Sequence, residues 1–251
     1  MKSYALDTYS AHSSTASHSQ SIQIDQMLKS DGELMGYINR LPVADSSSFG
    51  ARASSSDIVS FEGGDVIAER SELTDNMYIL LSGKVNLVVA NAKNQRMVAG
   101  SLGPGAIFGE GALSEPASTN VFVEGAESGK VVRVPAGHAH SLVERHPILG
   151  WALLQTYGQR QLQIEQYMED VAYKTLPQRV ANILLELSDM ENGEIAGLSH
   201  QNLADRLGTY RETISAILRT FKQDGMVELG YRRINVVDAE GLMDLAGIWE
   251  W

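Results

Sequence analysis

The spacing of apolar residues between Leu198 and Phe221 constrains the fold of this chain more than any other stretch. Apolar residues recur at helical intervals in two short runs, and Gly208 separates the runs. The pattern predicts two helices joined by a tight turn, because glycine readily adopts the positive φ that such a turn requires. Ala204 would lie where the helices cross, and Ile214 with Leu218 would anchor the second helix.

Polar side chains at the start of the second predicted helix suggest what this helix pair does. Arg211 and Glu212 would face outward, where a DNA major groove would meet them, and these residue types can bind guanine and cytosine edges. Residues 225–237 predict two strands around a turn at Gly230, which is a wing. The expected DNA-contacting residues are Ser199, Gln201, Tyr210, Arg211, Glu212, Thr213, Ser215, Arg219, Arg232 and Arg233. The alternatives are a solvated charged face and a domain that contacts protein rather than DNA.

Composition limits how such a domain can bind. The formal charge of −11 argues against a general affinity for nucleic acid, so DNA binding must rely on a local basic face. The absence of cysteine excludes disulfides, thiol switches and cysteine-ligated iron–sulfur clusters. No stretch approaches the roughly 18 apolar residues of a membrane span, so we expect a cytoplasmic protein without a membrane partner.

The rest of the chain divides into segments that differ in composition and in the spacing of their apolar residues. Residues 1–21 are serine-rich and predict a flexible tail, and residues 22–56 predict a helix up to Leu41 followed by a serine-rich linker. Residues 57–146 contain short β-type runs separated by glycine turns, which predict a jelly-roll barrel. Residues 147–173 predict one long helix and residues 174–251 the winged helix-turn-helix. The expected class is therefore α+β. The β-type runs are 58–61, 77–81, 85–89, 98–102, 121–123 and 131–134, with Ser82-Gly83 as one of the turns.

The long predicted helix carries a thin apolar seam. Its members recur every three or four residues and are Leu154, Tyr157, Gln161, Ile164, Met168 and Val171. A helix that exposed this seam would be unstable alone, so pairing with a second copy of the chain is expected. The alternative is a helix packed only on its own barrel.

The predicted barrel, long helix and winged helix follow one another in this order. With this arrangement, the chain resembles the Crp/Fnr family of bacterial transcription regulators from about residue 57 to residue 238. The resemblance rests on the stretches 61–67, 77–85, 105–110 and 211–215, which read FEGGDVI, MYILLSGKV, GAIFGE and RETIS. It implies a cyclic-nucleotide-binding-type barrel, a dimerising central helix and two recognition helices one DNA turn apart. The implied partners are double-stranded DNA, a second copy of the chain and RNA polymerase.

The resemblance weakens at the effector pocket. The family's cyclic-AMP site pairs a Gly-Glu element, present here as Gly109 and Glu110, with a following Arg-Ser that holds the phosphate. The corresponding stretch includes Ser118 and Thr119 and has no cation. Ile164 and Glu165 stand where the family supplies Thr and Ser to adenine. We therefore expect a structural turn at Gly109, no required cofactor and no control by cyclic AMP; constitutive action, haem bound through a histidine or another small ligand remain the alternatives.

A competing interpretation makes the barrel an enzyme. His138, His140 and Glu144 have the spacing of a metal site in cupin dioxygenases, which are also β-barrels. That motif belongs on barrel strands, whereas residues 141–144 predict a helical turn. The enzyme hypothesis also leaves the C-terminal domain without a role, so we expect no catalytic residues.

Overall fold

A computed structural model of the chain describes residues 25–49, 55–91, 95–113, 121–188 and 193–247. The predicted tail, 1–21, lies outside the described residues. Contacts divide the chain into two compact units: one contains Ser17–Ala90 and Ala99–Ile164, and the other contains Asn91–Val98 and Glu165–Trp251. Each unit has its own apolar core.

The helices and strands follow the order expected from the sequence. The helices are α1 (25–30), α2 (Gly32–Ile38), α3 (Glu72–Asp75), α4 (Ala136–Arg145), α5 (Pro147–Tyr173), α6 (Leu176–Leu187), α7 (His200–Leu207), α8 (Arg211–Gln223) and α9 (Ala239–Ala246). The strands are β1 (Val43–Ala44), β2 (Asp57–Phe61), β3 (Val66–Ala68), β4 (Asn76–Ala90), β5 (Arg96–Leu102), β6 (Ile107–Phe108), β7 (Val121–Pro135), β8 (Glu194–Ala196), β9 (Val227–Gly230) and β10 (Arg233–Val236).

Two long antiparallel strands, β4 and β7, organise the first unit. The sheet order is β1-β2-β7-β4-β5, with β3 added to β7 and β6 added to β4. Side chains from β2, β4, β6 and β7 share one core, in which the Tyr78 and Phe108 rings stack with centroids 5.0 Å apart. The α+β class and the sheet domain at the N-terminal side of the long helix are thus confirmed.

The expected turn at Ser82-Gly83 is wrong. The runs 77–81 and 85–89 form the single strand β4, and the runs 121–123 and 131–134 form the single strand β7. Around Gly83 the pairing of β4 with β7 shifts register, and a Cβ at Gly83 would overlap the Ser128 carbonyl. The glycine therefore accommodates a bulge and a close backbone approach, not a chain reversal.

The single helix predicted up to Leu41 is also wrong, because Asp31 divides it. The Asp31 carboxylate accepts hydrogen bonds from the backbone N–H groups of Glu33 and Leu34, which starts a new helix, α2. Asp31 also lies 3.1 Å from the Nδ1 atom of the buried His146. An aspartate that bonds nearby N–H groups competes with the continuous helix, and apolar spacing alone does not show this competition. The predicted linker contains part of β1 and a 3-10 turn, Ser46–Ser48.

The helix predicted after Pro147 spans Pro147–Tyr173 as α5. Its first turns are buried against the sheet domain through Leu149, Ala152 and Thr156. The Thr156 hydroxyl donates to the Ala152 carbonyl at 2.8 Å and accepts from the Ile107 N–H at 3.2 Å. This buried bond ties α5 to β6 within the first unit.

Helices α6 to α9 and the small sheet β8-β10-β9 build the C-terminal part of the second unit. Their shared core includes Ala204, Leu207, Ile214, Leu218 and Phe221, all buried. The two helices predicted between Leu198 and Phe221 are therefore present as α7 and α8, followed by the predicted wing hairpin.

Candidate nucleic-acid interface

The start of α7 and the turn to α8 use the local chemistry expected from the sequence. The Ser199 hydroxyl accepts from the Asn202 N–H at 3.1 Å, and the Asn202 side chain accepts from the Ser199 N–H at 3.0 Å. This reciprocal capping box confirms Ser199 as the N-cap of α7. Gly208 has a φ of 63°, as predicted for the turn, and Ala204 is fully buried.

Helix α8 presents a polar first turn to solvent. Arg211, Glu212 and Thr213 are exposed, whereas Ile214 and Leu218 are buried in the core. Tyr210 is the N-cap residue and is also exposed. The cation and the carboxylate lie side by side on a free helix face, an arrangement that can donate to guanine and accept from cytosine.

Ser215 occupies a different environment from its exposed neighbours. Its hydroxyl lies 2.8 Å from His200 Nδ1 and 2.9 Å from the Arg211 carbonyl oxygen, and both side chains are only partly exposed. Sequence spacing predicted an outward side chain at Ser215 and no role for His200. The contact joins two helices, so no spacing within one helix could have revealed it.

Other predicted contact residues lie on the same unit. Gln201, on the first turn of α7, is exposed and donates to the Asp205 carboxylate at 2.7 Å. Arg219 is exposed two turns along α8 from Arg211. These positions suit phosphate contacts, which orient a protein on DNA without reading its sequence.

One non-glycine residue of the wing turn has a positive φ, a backbone conformation that costs free energy in residues other than glycine. Gly230 pairs with Arg233 across the hairpin, so Tyr231 and Arg232 form a two-residue loop. Arg232 has a φ of 51°, and Tyr231 is 95% exposed. Arg233 is engaged within the domain, because its Nε atom lies 3.0 Å from the Glu194 carboxylate. The wing therefore offers Arg232, more than Arg233, to a ligand in front of the turn.

The predicted seam of α5 is exposed along its whole length. Its members are all exposed, Leu154 and Met168 to 65% each, and are Leu154, Tyr157, Gln161, Ile164, Met168 and Val171. Trp151 and Leu162 extend the exposed apolar surface on one flank. The alternative of a seam packed on its own barrel is not supported, since only the opposite side of the first turns is buried.

The structure describes only part of the predicted effector pocket. Ser118 and Thr119 lie outside the described residues. Gly109 has a φ of 81° and precedes a 3-10 turn, Glu110–Ala112, so a turn is present at this position. A Cβ at Gly109 would overlap the Asn76 carbonyl.

One functional candidate at this turn was missed by the sequence analysis. Arg160 Nη1 of α5 lies 2.8 Å from Glu110 Oε1, and the Arg160 guanidinium also lies over the Tyr157 ring, 5.7 Å from its centroid. Arg160 thus places a cation beside Glu110. A signal was available, because Arg160 precedes Ile164 by about one helical turn and so shares its side of α5.

The competing metal site is not assembled. His138, His140 and Glu144 lie on α4, so the helical turn predicted there is confirmed. Within the described ranges, no three His, Asp or Glu side chains are grouped so that they could hold a metal ion. Among the same residues, no helix is long and apolar enough to cross a membrane.

Comparison with known proteins covers both units. The cyclic nucleotide-binding domain profile matches residues 58–146, and the Crp-like helix-turn-helix domain profile matches residues 178–245. The chain is 27% identical over 183 residues to the cyclic AMP receptor protein of Thermus thermophilus, covering 73% of this chain and 85% of that protein. It is 29% identical over 196 residues to the transcriptional regulator SdrP of the same organism, covering 75% and 93%.

A solved structure gives the same result. A CRP/FNR-family transcriptional regulator from Thermus thermophilus superposes with a TM-score of 0.60 at 26% identity, covering 76% of this chain and 98% of that one. The two domain profiles cover separate parts of the chain, and the relatives and the solved structure each span about three quarters of it. The assignment therefore does not depend on any single stretch of sequence.

Proposed function

The chain belongs to the Crp/Fnr family of DNA-binding transcription regulators, and from this premise we propose that it binds a palindromic DNA site as a homodimer. Two copies would pair through α5, and each α8 would enter the major groove of one half-site. RNA polymerase is the third proposed partner, on the family resemblance alone. No chemical step is assigned to the protein, since members of this family regulate transcription and are not enzymes.

The exposed seam of α5 is the observation that carries this proposal. An apolar stripe at heptad-like spacing, open from Leu154 to Val171, gains stability when a second helix covers it. Each fully covered aliphatic side chain contributes about 1.5–3 kcal/mol. Because the same stripe exists on every copy, a two-fold interface is the simplest solution.

The DNA-reading role assigned to α8 rests on its exposed first turn. Arg211 and Glu212 would contact base edges, and Thr213 and Tyr210 would lie near the groove edge. The remaining predicted contacts, Ser199, Gln201, Arg219, Arg232 and Arg233, would face phosphates. The Ser215 hydroxyl is only partly exposed and is hydrogen-bonded within the domain, so we assign it an indirect contribution to base reading.

Control by cyclic AMP is not part of the proposal. Glu110, which would have to bind such a ligand, is already paired with Arg160, and Ile164 has no hydroxyl to offer to adenine. A constitutive regulator, whose abundance is the signal, fits these residues. A regulator that senses another small ligand at this turn is the second candidate, and the exposure of Ile164 and the nearby cation favour it over haem.

Selection of bound DNA from a random-sequence pool, combined with sedimentation analysis, tests this function. We expect a dimer and an enriched sequence with two-fold symmetry. Met168→Glu should give a monomer with much weaker binding to that sequence, because a charge would be buried in the seam. Gln166→Glu is the matched control: it adds the same charge on the exposed side of α5 away from the seam and should leave both properties unchanged.

A monomeric wild-type protein, or enriched DNA without two-fold symmetry, would refute the homodimer. Failure to enrich any sequence at low salt would count against DNA binding itself, because the electrostatic part of binding is strongest there.

A further inference from the structure

We propose that His200 is a positioning residue for sequence reading, because it holds Ser215 and thereby the first turn of α8. The proposal rests on the proposed function, in which α8 reads base pairs. His200 is the first residue of α7, and Ser215 lies one turn into α8. The pair joins the two helices of the motif at the end where Arg211 is exposed.

The directions of the two hydrogen bonds follow from counting protons. A serine hydroxyl has one proton, and here it is donated to the Arg211 carbonyl at 2.9 Å. His200 Nδ1, 2.8 Å from the same oxygen, must then be the donor in the second bond. The resulting chain runs from His200 Nδ1–H to Ser215 Oγ and from Ser215 Oγ–H to the Arg211 carbonyl.

The state of the imidazole supports the same assignment. Partial burial, and secondly the positive charge of Arg211, lower the pKa of His200 below its ordinary value. At neutral pH the ring is therefore uncharged and carries one proton, which the bond to Ser215 places on Nδ1. Nε2 then has no proton, so His200 does not act as a phosphate clamp in this state.

The bond supplies a directional constraint that the apolar core lacks. Burial of Ile214 and Leu218 selects the face of α8 that packs on the domain, but apolar contact is not directional and tolerates small rotations of the helix about its axis. The hydrogen bond between α7 and Ser215 is directional and restricts these rotations. Arg211 lies one turn before Ser215, so the bond also limits the direction of its side chain, and small angular errors weaken bidentate contacts to a base.

The test compares variants that keep or remove the Nδ1 donor. In His200→Asn the side-chain amide nitrogen replaces Nδ1, whereas in His200→Gln it replaces Nε2 instead. The measurement is the ratio of dissociation constants for the selected palindrome and for a palindrome changed at the base pair where Arg211→Ala relaxes preference. Binding to unrelated DNA, its dependence on salt and the thermal melting of each variant are recorded in parallel.

We expect His200→Asn to keep the wild-type ratio within about twofold, while His200→Gln and Ser215→Ala each reduce it by roughly threefold to tenfold. The double variant should be no worse than either single variant, because both remove the same bond. Affinity for unrelated DNA and the salt dependence should not change.

Four results would overturn the inference. Equal losses for His200→Asn and His200→Gln would exclude the Nδ1 donor, and a uniform loss on all DNA with a shallower salt slope would indicate a phosphate contact. Losses that only follow a fall in melting temperature would indicate a structural role. If the wild-type protein prefers no palindrome, the proposed function fails as well. If the wild-type protein prefers a palindrome and His200→Gln keeps that preference, only the inference on His200 fails.

Discussion

Arg160 on the central helix and Glu110 in the turn after β6 form an ion pair with an N–O distance of 2.8 Å. The side chains are 21% and 36% exposed, so the pair lies at the edge of the sheet domain. It occupies the acidic group that the family resemblance assigns to ligand recognition. Whether a ligand binds at this turn therefore depends on these two side chains.

From this pair we predict that millimolar cyclic AMP leaves the DNA affinity of the wild-type protein unchanged. A ligand that raises DNA affinity must itself bind more tightly to the DNA-bound protein, and here it would first have to displace Arg160 from Glu110. DNA titrations with and without the nucleotide, supported by calorimetry, check this. A tenfold increase in DNA affinity would contradict it. Arg160→Gln is the control and should change stability by less than about 1 kcal/mol, since the pair is partly exposed.

At Arg232 in the wing turn, we expect opposite effects on the stability of the fold and on DNA binding. Arg232 has a φ of 51°, a region that glycine adopts without strain and that asparagine tolerates. Arg232→Gly and Arg232→Asn should therefore raise the free energy of unfolding by about 0.5–1 kcal/mol and weaken DNA binding, because both remove the cation. Denaturant titrations and binding at several salt concentrations provide the two measurements. A destabilised variant would contradict the backbone strain at Arg232, and undiminished DNA affinity would contradict its contact with DNA.

The Asp31 carboxylate at the start of α2 predicts that the free energy of unfolding falls at acidic pH. The N–H of Leu34, and to a smaller extent His146, lower the pKa of Asp31 below 3.8 in the folded chain. Its contribution is therefore present above about pH 4 and is lost as the pH falls through the lowered pKa. Asp31→Asn keeps a capping oxygen but does not titrate, so the variant should lose less stability than the wild type on acidification, while Asp31→Ala should cost about 0.5–2 kcal/mol at neutral pH. Parallel pH profiles of wild type and Asp31→Asn would disprove this role.

Base reading by α8 gives a prediction with a clear pattern. Arg211→Ala should cost about 1–3 kcal/mol on the preferred DNA and relax preference at one base pair per half-site. Arg219→Ala, the comparison variant, should weaken binding to all sequences alike and lower the salt slope by about one. Competition titrations with single-base variants of the palindrome distinguish the two patterns. An equal loss on all sequences for Arg211→Ala would make it a phosphate contact instead.

The C-terminal unit was the most predictable part of the fold. Its turn requires a positive φ at Gly208, its helix crossing requires a small residue at Ala204, and both requirements are visible as residue types at set spacings. The exposed seam of α5 was predictable for a similar reason, since the 3–4 spacing from Leu154 to Val171 is a local property of one helix.

The features that were not predicted from the sequence depend on contacts between residues that are distant in the chain. The glycine at position 83 indicated a turn, whereas its actual role is set by the strand β7 that passes beside it. The pairs His200–Ser215 and Arg160–Glu110 each join two elements, so neither partner has a local signature. Sequence periodicity therefore located α8, but not the contacts His200–Ser215 and Arg160–Glu110.

The spacing of the two half-sites tests the central claim most directly. Two recognition helices on a symmetric dimer must meet the major groove on one side of the duplex, about one helical turn of 10–10.5 base pairs apart. The measurement compares the affinity for the selected palindrome with that for palindromes whose centre is lengthened by about five or about ten base pairs, a half turn or a full turn. The homodimer account predicts a large loss at the half-turn insertion, because one half-site then faces away from the second α8. Undiminished binding to the half-turn variant would contradict it, since each half-site would then be bound without the other.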